Sequence, residues 1–255
     1  MFKLSRNKRK SFEEEISKVG QYILKKKKTI KIKNKKKFQT NLDIIVNSKI
    51  KKIIFKYFNT KKIISEEDRK KLIKNTNYWL IDPIDGTRSL YDGYKTYGIQ
   101  LCYVVKKKPV YSLINLPEKN KNISSIINDG VKVNGKKFLN NKKKRIQSIV
   151  DNKKIPSHDC KKIMKSCNIK NYIEAGSFAY KSMLVAFNKA TLFVKKVNFC
   201  AWDIFPQLLI NKELGNFTFD LRGKEFVEIN KLYYTNGLIV TSSKKNIKKI
   251  IKIFK

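Results

Sequence analysis

The chain has 255 residues, and its 59 basic residues outnumber the 20 acidic ones, so the formal net charge is +39. Only six of the basic residues are arginine, and lysine occurs in every segment. Because arginine dominates specific recognition of phosphates and bases, this composition favours a general lysine bias over sequence-specific nucleic-acid binding. Four cysteines without a C-x-x-C pair and a single histidine argue against a zinc site.

The sequence contains no apolar run long enough to span a bilayer, and no apolar signal core follows the basic residues 1–10. The cysteines are expected to be reduced, as is usual in the cytosol. We therefore expect a soluble, cytoplasmic protein whose length allows one large domain or two tightly joined ones.

Two amphipathic helices are predicted in the first part of the chain. Residues 11–14 (S-F-E-E) have the pattern of a capping box, and apolar residues then recur at helical spacing as far as Ile23. The lysine-rich residues 25–37 predict a solvated loop or a hairpin. A second helix is expected after Thr40, with Asp43 near its start and apolar residues at helical spacing up to Phe58.

The stretch W-L-I-D-P-I-D-G-T at residues 79–87 carries the strongest chemical signal. A buried strand is predicted to end near Asp82, Asp85 follows, and Gly86 and Thr87 open the first turn of a helix. Two carboxylates at the end of a buried strand repel each other without a cation, and oxygen ligands favour Mg²⁺ or Mn²⁺. Free amides at a helix start bind phosphate. A turn with an Asx cap is the structural alternative.

The rest of the sequence predicts alternating strands and helices. The predicted strands are residues 97–105, 109–116, 123–127, 146–150, 172–175, 190–194 and 237–241, and the predicted helices are 156–167, 244–255 and two that begin at Ser177 and near Asp203. An Asn134-Gly135 pair indicates a hairpin. The last helix is basic and amphipathic, and packing on a sheet is favoured over binding to a membrane.

A basic loop at residues 142–145 is expected to separate two halves of one compact unit. The first, residues 1–145, is an N-terminal α+β half that carries most of the acidic motifs. The second, residues 146–255, is a C-terminal α/β half that completes the site.

Four motifs resemble, in the same order, those of the inositol monophosphatase-like family of Mg²⁺-dependent phosphatases. They are T-x-x-D at residues 40–43, S-E-E at 65–67, D-P-I-D-G-T at 82–87 and W-D at 202–203. The family includes histidinol-phosphate, fructose-bisphosphate and phosphoadenosine phosphatases. The resemblance implies an α+β fold, a layered α/β/α/β/α sandwich of the inositol monophosphatase and fructose-1,6-bisphosphatase type. The sequence departs from the family at Asn47, where a glutamate is usual.

The resemblance implies a site for two or three Mg²⁺ ions, with Mn²⁺ as a substitute. The implied metal ligands are Glu66, Asp82, Asp85, Asp203 and the backbone carbonyl of Ile84. Glu66 and Thr87 would orient the attacking water, and Thr87 would pair with Asp43.

Phosphate and substrate contacts are implied for four further positions: Gly86, Thr87, Ser177 and Lys195. Lys195 lies near the place of the acid that contacts inositol in the family. A lysine cannot accept hydrogen bonds from a polyol, so Lys195 would suit a substrate that carries a second anion.

The residues exclude several other phosphatase classes. The acids stand at D-x-x-D rather than D-x-D, a Cys-x₅-Arg loop is absent, and one histidine rules out phosphohistidine chemistry. The predicted function is Mg²⁺-dependent hydrolysis of a small polyol or amino-alcohol phosphate, such as an inositol monophosphate, by an activated water.

Three alternatives stay open. They are a histidinol-phosphate phosphatase, for which Arg88-Ser89-Leu90 is the closer match, a nucleotide or fructose bisphosphatase, and a non-enzymatic scaffold that binds RNA or another anion. The resemblance also implies homodimers. No specific nucleic acid and no membrane partner is expected.

Overall fold

The structure is a computed structural model, and it describes residues 4–34, 38–68, 72, 76–139 and 147–254. Its helices are α1 (Arg6–Lys26), α2 (Asn41–Phe58), α3 (Thr87–Tyr91), α4 (His158–Cys167), α5 (Phe178–Ala186), α6 (Ala201–Glu213) and α7 (Ile247–Phe254). Its strands are β1 (Ile32–Asn34), β2 (Gln39–Thr40), β3 (Ile63–Ser65), β4 (Tyr78–Asp85), β5 (Gly98–Val105), β6 (Lys108–Leu116), β7 (Lys121–Ile126), β8 (Gly130–Val133), β9 (Lys136–Lys137), β10 (Ser148–Asp151), β11 (Asn171–Glu174), β12 (Leu192–Lys195), β13 (Phe199–Cys200), β14 (Phe217–Phe219), β15 (Tyr233–Tyr234) and β16 (Leu238–Thr241).

The start of the first helix differs from the prediction. α1 is capped by Ser5, whose hydroxyl accepts a hydrogen bond from the amide of Lys8 at 3.4 Å. The predicted capping box at residues 11–14 is wrong, because Ser11 lies inside α1 and donates to the carbonyl of Asn7. A serine followed by acids fits a helix interior as well as a helix start, so the motif alone does not decide between them.

α2 begins as predicted, with a complete capping box. The amide of Thr40 donates to Asp43 at 2.8 Å, and the amide of Asp43 lies 3.4 Å from the Thr40 hydroxyl oxygen. Together these bonds satisfy donors that a helix start otherwise leaves without partners. The box fixes Asp43 in the first turn of α2, where its side chain is buried.

A seven-stranded sheet in the order β3-β4-β5-β6-β7-β8-β9 forms most of the first half, with β3 parallel to β4 and the other pairs antiparallel. Successive residues of β4 point to opposite faces. Trp79 and Ile81 pack against α1 and α2, whereas Tyr78 and Leu80 pack on the other face, which α6 covers. Each such buried side chain contributes roughly 1.5–3 kcal/mol through the hydrophobic effect.

A five-stranded sheet in the order β11-β10-β12-β16-β14 forms the second half. One face, with Val150 and Phe193, packs toward α5 and α6, and the other face, with Ile149, packs against α4 and α7. The layers therefore run α1 and α2, sheet, α5 and α6, sheet, α4 and α7, which confirms the predicted α/β/α/β/α sandwich.

α7 buries Ile250 in the cluster formed with α4 and the five-stranded sheet, which is the packing that the sequence favoured for the last helix. In the ranges that the structure describes, no helix is both long and apolar enough to cross a membrane. The predicted boundary loop at residues 142–145 lies outside the described residues, so the division into residues 1–145 and 146–255 stays a prediction.

Candidate active site

A cleft of about 690 Å³ opens where the end of β4 meets the first turns of α3, α5 and α6. The cleft brings together nearly all of the predicted site residues. Those that line it are Glu66, Asp82, Ile84, Asp85, Gly86, Thr87, Ser177, Lys195 and Asp203. Asp43 does not line the cleft but reaches it through Thr87.

The end of β4 holds the central motif. β4 continues to Asp85 rather than ending near Asp82, and its register against β5 shifts between these two residues. A shift of this kind is a bulge, which bends a strand and redirects its side chains. Both carboxylates line the cleft as a result, and Asp82 accepts a hydrogen bond from the amide of Ile84 at 3.1 Å.

Asp85 ties β4 to the start of α5. Its two carboxylate oxygens accept hydrogen bonds from the amides of Phe178 and Ala179, at 3.1 and 2.5 Å. Ser177 caps α5 by accepting from the amide of Tyr180 at 3.0 Å, and its side chain also hydrogen-bonds to Asp85. Ser177 therefore holds Asp85 in place, a contact that the sequence did not predict.

Asp203 comes from the second half of the chain and lies in the first turn of α6. Its carboxylate accepts a hydrogen bond from the amide of Cys200 at 2.5 Å. Gln100, which pairs with Asp82 across β4 and β5, donates to the backbone carbonyl of Asp203 at 3.3 Å. This bond connects the seven-stranded sheet to α6 beside the acidic residues.

The acids of the cleft repel one another. Burial and the neighbouring carboxylates, above all Glu66, raise the pKa of Asp82 well above its usual range. Burial raises the pKa of Asp203 to about 7, an effect that the Cys200 amide opposes and the charge of Asp85 reinforces. Although Glu66 is accessible from the cleft, desolvation by the surrounding protein and the charge of Asp203 raise its pKa to about 8.

This donor set fits a hard divalent cation by its chemistry. All of the predicted ligands are carboxylate or carbonyl oxygens, the type that Mg²⁺ and Mn²⁺ prefer, and an excess of buried negative charge calls for a cation. Among the described residues, no three His, Cys, Asp or Glu side chains form a ready-made metal cage. The fit of these residues to a divalent cation therefore rests on the type and charge of their oxygen atoms. Hydrogen bonds from backbone amides account for the orientations that the Asp85 and Asp203 side chains have in the structure.

Thr87 joins the cleft to Asp43. Its hydroxyl oxygen lies 2.8 Å from a carboxylate oxygen of Asp43 and 2.9 Å from the carbonyl oxygen of Ile84. Asp43 is 1% exposed, and burial raises its pKa, an effect that its hydrogen bonds with Thr40 and Thr87 oppose. The pairing of Thr87 with Asp43 that the resemblance implied is present in the structure.

Asn47, the departure from the family pattern, has a structural contact. Its side-chain oxygen accepts a hydrogen bond from Ser65 at 2.8 Å, which connects α2 to the end of β3 just before Glu66. The asparagine therefore positions the strand that presents Glu66 but adds no charge to the cleft.

Lys195 is already paired. Its ammonium group lies 2.5 Å from Asp151 and 2.5 Å from the side-chain oxygen of Asn152. Burial alone would raise the pKa of Asp151, but the hydrogen bond from Lys195 and that from the Asn152 amide bring it below its usual value. The pair lies at the ends of β10 and β12, two parallel strands, and such ends are common ligand-binding edges.

Sequence reasoning missed Asp151 and Lys181. Lys181 lines the cleft although only 1% of it is exposed, and its ammonium lies over the rings of Phe178 and Phe193 at 5.3 and 4.8 Å. Burial, followed by the charge of Lys195, lowers its pKa to about 8. Its position four residues after Ser177 places it on the face of α5 that meets the cleft, and this spacing could have identified it.

A comparison with known protein families identifies the family to which the chain belongs. A model described as "Inositol monophosphatase family" matches residues 8–255. The chain belongs to the inositol monophosphatase family. It is accordingly a phosphoric monoester hydrolase of the inositol-phosphate phosphatase type.

Two relatives of similar overlap carry different names. A fructose-1,6-bisphosphatase/inositol-1-monophosphatase of Thermotoga maritima is 26% identical over 203 residues, which is 78% of each chain. A protein named Nus factor SuhB, from Pasteurella multocida, is 24% identical over 229 residues, covering 86% of this chain and 83% of its own.

Solved structures show the same fold. A staphylococcal inositol monophosphatase-1 superposes with a TM-score of 0.83 at 22% identity, over 99% of this chain and 96% of its own. An IMPase/NADP phosphatase complexed with Mg²⁺ and phosphate gives a TM-score of 0.77 at 22% identity, over 92% and 90% of the two chains.

Proposed function

We propose that the protein is a Mg²⁺-dependent phosphomonoesterase that hydrolyses a small polyol or amino-alcohol phosphate, such as an inositol monophosphate, by direct attack of water. The observation that carries the proposal is the meeting of Glu66, Asp82, Asp85 and Asp203 in one cleft beside the Thr87–Asp43 pair. Cytoplasmic localisation and the formation of a homodimer remain predictions.

The metal would be held by the four acids and the Ile84 carbonyl, which together offer oxygen ligands for two or three Mg²⁺ ions, and Mn²⁺ would substitute. When bound, Mg²⁺ stabilises the charge of the phosphate and lowers the pKa of a coordinated water. The IMPase/NADP phosphatase structure with Mg²⁺ and phosphate supports this choice of metal.

Glu66 and Thr87 would orient the attacking water. Glu66 is the most exposed of the four acids proposed to hold the metal, so it can reach a water that enters the cleft and take up its proton. The Thr87 hydroxyl donates its hydrogen bond to Asp43, so a lone pair of the threonine oxygen is free to accept a hydrogen bond from water. Attack on phosphorus then displaces the alcohol oxygen of the substrate, which takes a proton from solvent.

Gly86 and Thr87 would bind the phosphate through their amides, which stand at the start of α3, where helices lack internal partners for their N–H groups. α3 has only five residues, so direct hydrogen bonds, and not a large helix dipole, would carry this contact.

The paired state of Lys195 supports a hydroxyl-bearing substrate. Lys195 offers donors, while Asp151 and Asn152 beside it offer acceptors, so the group as a whole can both donate to and accept from a polyol. Asp151 thus supplies the acceptor that a lysine by itself lacks.

Phosphate release from a panel of esters tests the proposal. The panel is inositol 1-phosphate, histidinol phosphate, fructose 1,6-bisphosphate and 3′-phosphoadenosine 5′-phosphate, each with Mg²⁺ and with EDTA. We expect Mg²⁺-dependent turnover that falls about 100-fold or more in Asp85→Asn. The matched control Asp129→Asn changes an exposed loop acid and should keep the wild-type rate. The best substrate distinguishes the polyol, histidinol and bisphosphate alternatives.

The non-enzymatic alternative is a scaffold that binds RNA or another anion. The net charge of +39 and a relative named as a Nus factor favour testing it. Salt-dependent binding of RNA by folded protein that releases no phosphate from any panel member would support the scaffold and contradict the phosphatase.

A further inference from the structure

Lys181 is a buried lysine that lines the cleft without an ion pair. Only 1% of the residue is exposed, and its ammonium lies over the rings of Phe178 and Phe193. Among the residues that the structure describes, none accepts a hydrogen bond from this ammonium, and no carboxylate lies within ion-pair distance of it. Because a buried charge without a partner costs free energy, a group of this kind is a candidate for a role in function.

The side chain of Lys181 is directed toward the start of α5. Lys181 lies four residues after Ser177, and long side chains on a helix point back toward its N-terminal end. The first turn of α5 also binds Asp85 through two backbone amides. On the other side, the contact with Phe193 places the ammonium beside β12, the strand that carries Lys195.

The ammonium of Lys181 therefore lies between the acids proposed to hold the metal and the pair of Lys195 and Asp151. Four titratable groups act on it. Burial, followed by the charge of Lys195, lowers the pKa of Lys181 to about 8, while Asp151, Asp85 and the Cys160 thiol oppose this shift. A group with a pKa near neutrality can both give up a proton and regain it during turnover.

The same boundary is where the scissile bond of a phosphate monoester would lie. The phosphate binds beside the acids and the turn at Gly86, and the alcohol part of the substrate lies toward Lys195 and Asp151. The oxygen that joins the two parts is then the substrate atom nearest to Lys181.

We propose that Lys181 is the general acid of the reaction, and that its ammonium donates a proton to the alcohol oxygen of the substrate as the bond from phosphorus to that oxygen breaks. The inference rests on the proposed phosphatase function and adds a catalytic residue to it. Water forms the new bond to phosphorus and gives its proton to Glu66, while the electron pair of the broken bond stays on the alcohol oxygen and binds the proton from Lys181. The neutral amine of Lys181 then regains a proton from solvent, and Glu66 releases its own, so the proton of the alcohol comes from solvent through Lys181.

Two esters that differ in their leaving group test this role. p-Nitrophenolate is a stable anion that leaves without a proton, whereas the alkoxide of a sugar or polyol phosphate needs one. We expect Lys181→Met to lower kcat/KM for the best panel substrate about 100-fold, and to change the value for p-nitrophenyl phosphate by less than about threefold. Methionine suits the buried position because it is flexible and packs well against aromatic rings.

The pH dependence of the wild type gives a second readout that needs no variant. Lys181 must be protonated to act as an acid, so kcat/KM for the panel substrate divided by that for p-nitrophenyl phosphate should fall as the pH rises through about 8. Proton uptake by Glu66 serves both esters and cancels in this ratio. In Lys181→Met the ratio should not change with pH.

Two further variants separate the proton from the charge. Lys181→Arg keeps a positive charge, but a guanidinium does not release its proton near neutral pH, so hydrolysis of the panel substrate should stay about tenfold or more below the wild type. Lys162→Met is the matched control, since it removes an exposed lysine of α4 that does not line the cleft. It should leave both kcat/KM values and their ratio unchanged.

The outcomes distinguish the role of Lys181 from the proposed function. An equal loss on both esters in folded Lys181→Met, a wild-type ratio that stays constant as the pH rises through 8, or full activity of Lys181→Arg on the panel substrate would overturn proton donation by Lys181 while leaving the phosphatase intact. No Mg²⁺-dependent release of phosphate by the wild type, from either p-nitrophenyl phosphate or the panel, would overturn the proposed function and the inference with it.

Discussion

A single hydroxyl group connects the phosphate turn to the buried acid of α2. The Thr87 oxygen lies within hydrogen-bond distance of both Asp43 and the Ile84 carbonyl, and its single O–H can donate to only one of these acceptors at a time. Asp43 is itself fixed by the capping box with Thr40. The chain of bonds explains how a helix cap far from the central motif in sequence contributes to the cleft.

Removing that hydroxyl should reduce catalysis. Thr87→Val keeps the volume but loses the oxygen, and we expect kcat to fall about 100-fold or more because the water loses one of its two orienting groups. Thr87→Ser, which keeps the hydroxyl, should stay within about tenfold of the wild type. Similar rates for the valine and serine variants, measured on the best panel substrate, would show that the hydroxyl takes no part.

Lys195 should matter for stability as well as for substrate. Asp151 is 3% exposed and its ion pair with Lys195 measures 2.5 Å, so Lys195→Met leaves a buried carboxylate without its partner. We expect a loss of about 3 kcal/mol in the free energy of unfolding by urea, with most of it recovered in the double variant Lys195→Met/Asp151→Asn. A double variant no more stable than the single one would contradict this coupling.

At the scale of elements, the turn between β4 and α3 allows α5 to approach closely. Gly86 has a φ of +89°, and a Cβ there would lie 2.7 Å from the Cβ of Ser177. Gly176 is equally confined, since a Cβ would lie 2.0 Å from the Ser89 hydroxyl oxygen. Glycine is required here because the backbones that carry Asp85 and Ser177 meet without space for a side chain.

Two glycine substitutions separate backbone strain from collision. Gly86→Ala and Gly93→Ala both place alanine at a positive φ, but a Cβ at Gly93 meets no atom within 4 Å. We expect Gly86→Ala to destabilise the protein by about 1–3 kcal/mol more than Gly93→Ala, by urea unfolding, and to lower activity as well. Equal losses in both variants would mean that strain alone, and not the contact with α5, restricts position 86.

The elements also show where sequence reasoning succeeds. The start of α2 after Thr40 and the start of α5 at Ser177 depend on neighbours in the chain, and both were predicted. The box at residues 11–14 failed because Ser5 provides an alternative cap nearby. The short strands β13 and β15 were missed because their pairing joins residues 199–200 with 233–234, which no local pattern reveals.

At the scale of the whole molecule, the cleft combines groups from distant parts of the chain. The motifs allowed the acids to be predicted as a set, but the ion pair of Asp151 with Lys195 and the burial of Lys181 depend on how the five-stranded sheet and α5 pack. In a chain with so many lysines, sequence gives little indication of which of them become buried. The surroundings of Lys195 and Lys181 were therefore less predictable from the sequence than the set of acids proposed to hold the metal.

The acidic cluster should make stability depend on pH when no metal is bound. In the folded protein the pKa of Glu66 is raised to about 8 from the usual 4.5, so the folded state holds this proton more tightly than the unfolded chain. The contribution of Glu66 to the free energy of unfolding is fully present below about pH 4.5, and it is lost as the pH rises to about 8.

Glu66→Gln removes this dependence. In EDTA, the Tm of Glu66→Gln minus the Tm of the wild type should increase between pH 5 and pH 8. Added Mg²⁺ should make this difference smaller, because Mg²⁺ stabilises the wild type. Glu14→Gln, at an exposed site on α1, serves as the control. A Tm difference for Glu66→Gln that stays constant across this pH range would contradict the account.

Metal-dependent catalysis in the acidic cleft is tested by the rate of phosphate release from the best panel substrate as Mg²⁺ is titrated, in the wild type and in Asp203→Asn. Asp203 is the acid that the second half of the chain contributes, and α6 holds it beside the acids of β4. We expect that wild-type turnover rises with Mg²⁺ and is absent in EDTA, and that the rate of the variant is lower by a factor of about 100 or more. Wild-type turnover that persists in EDTA, or a variant that matches the wild type at every Mg²⁺ concentration, would show that the acidic cleft is not the metal-dependent catalytic site.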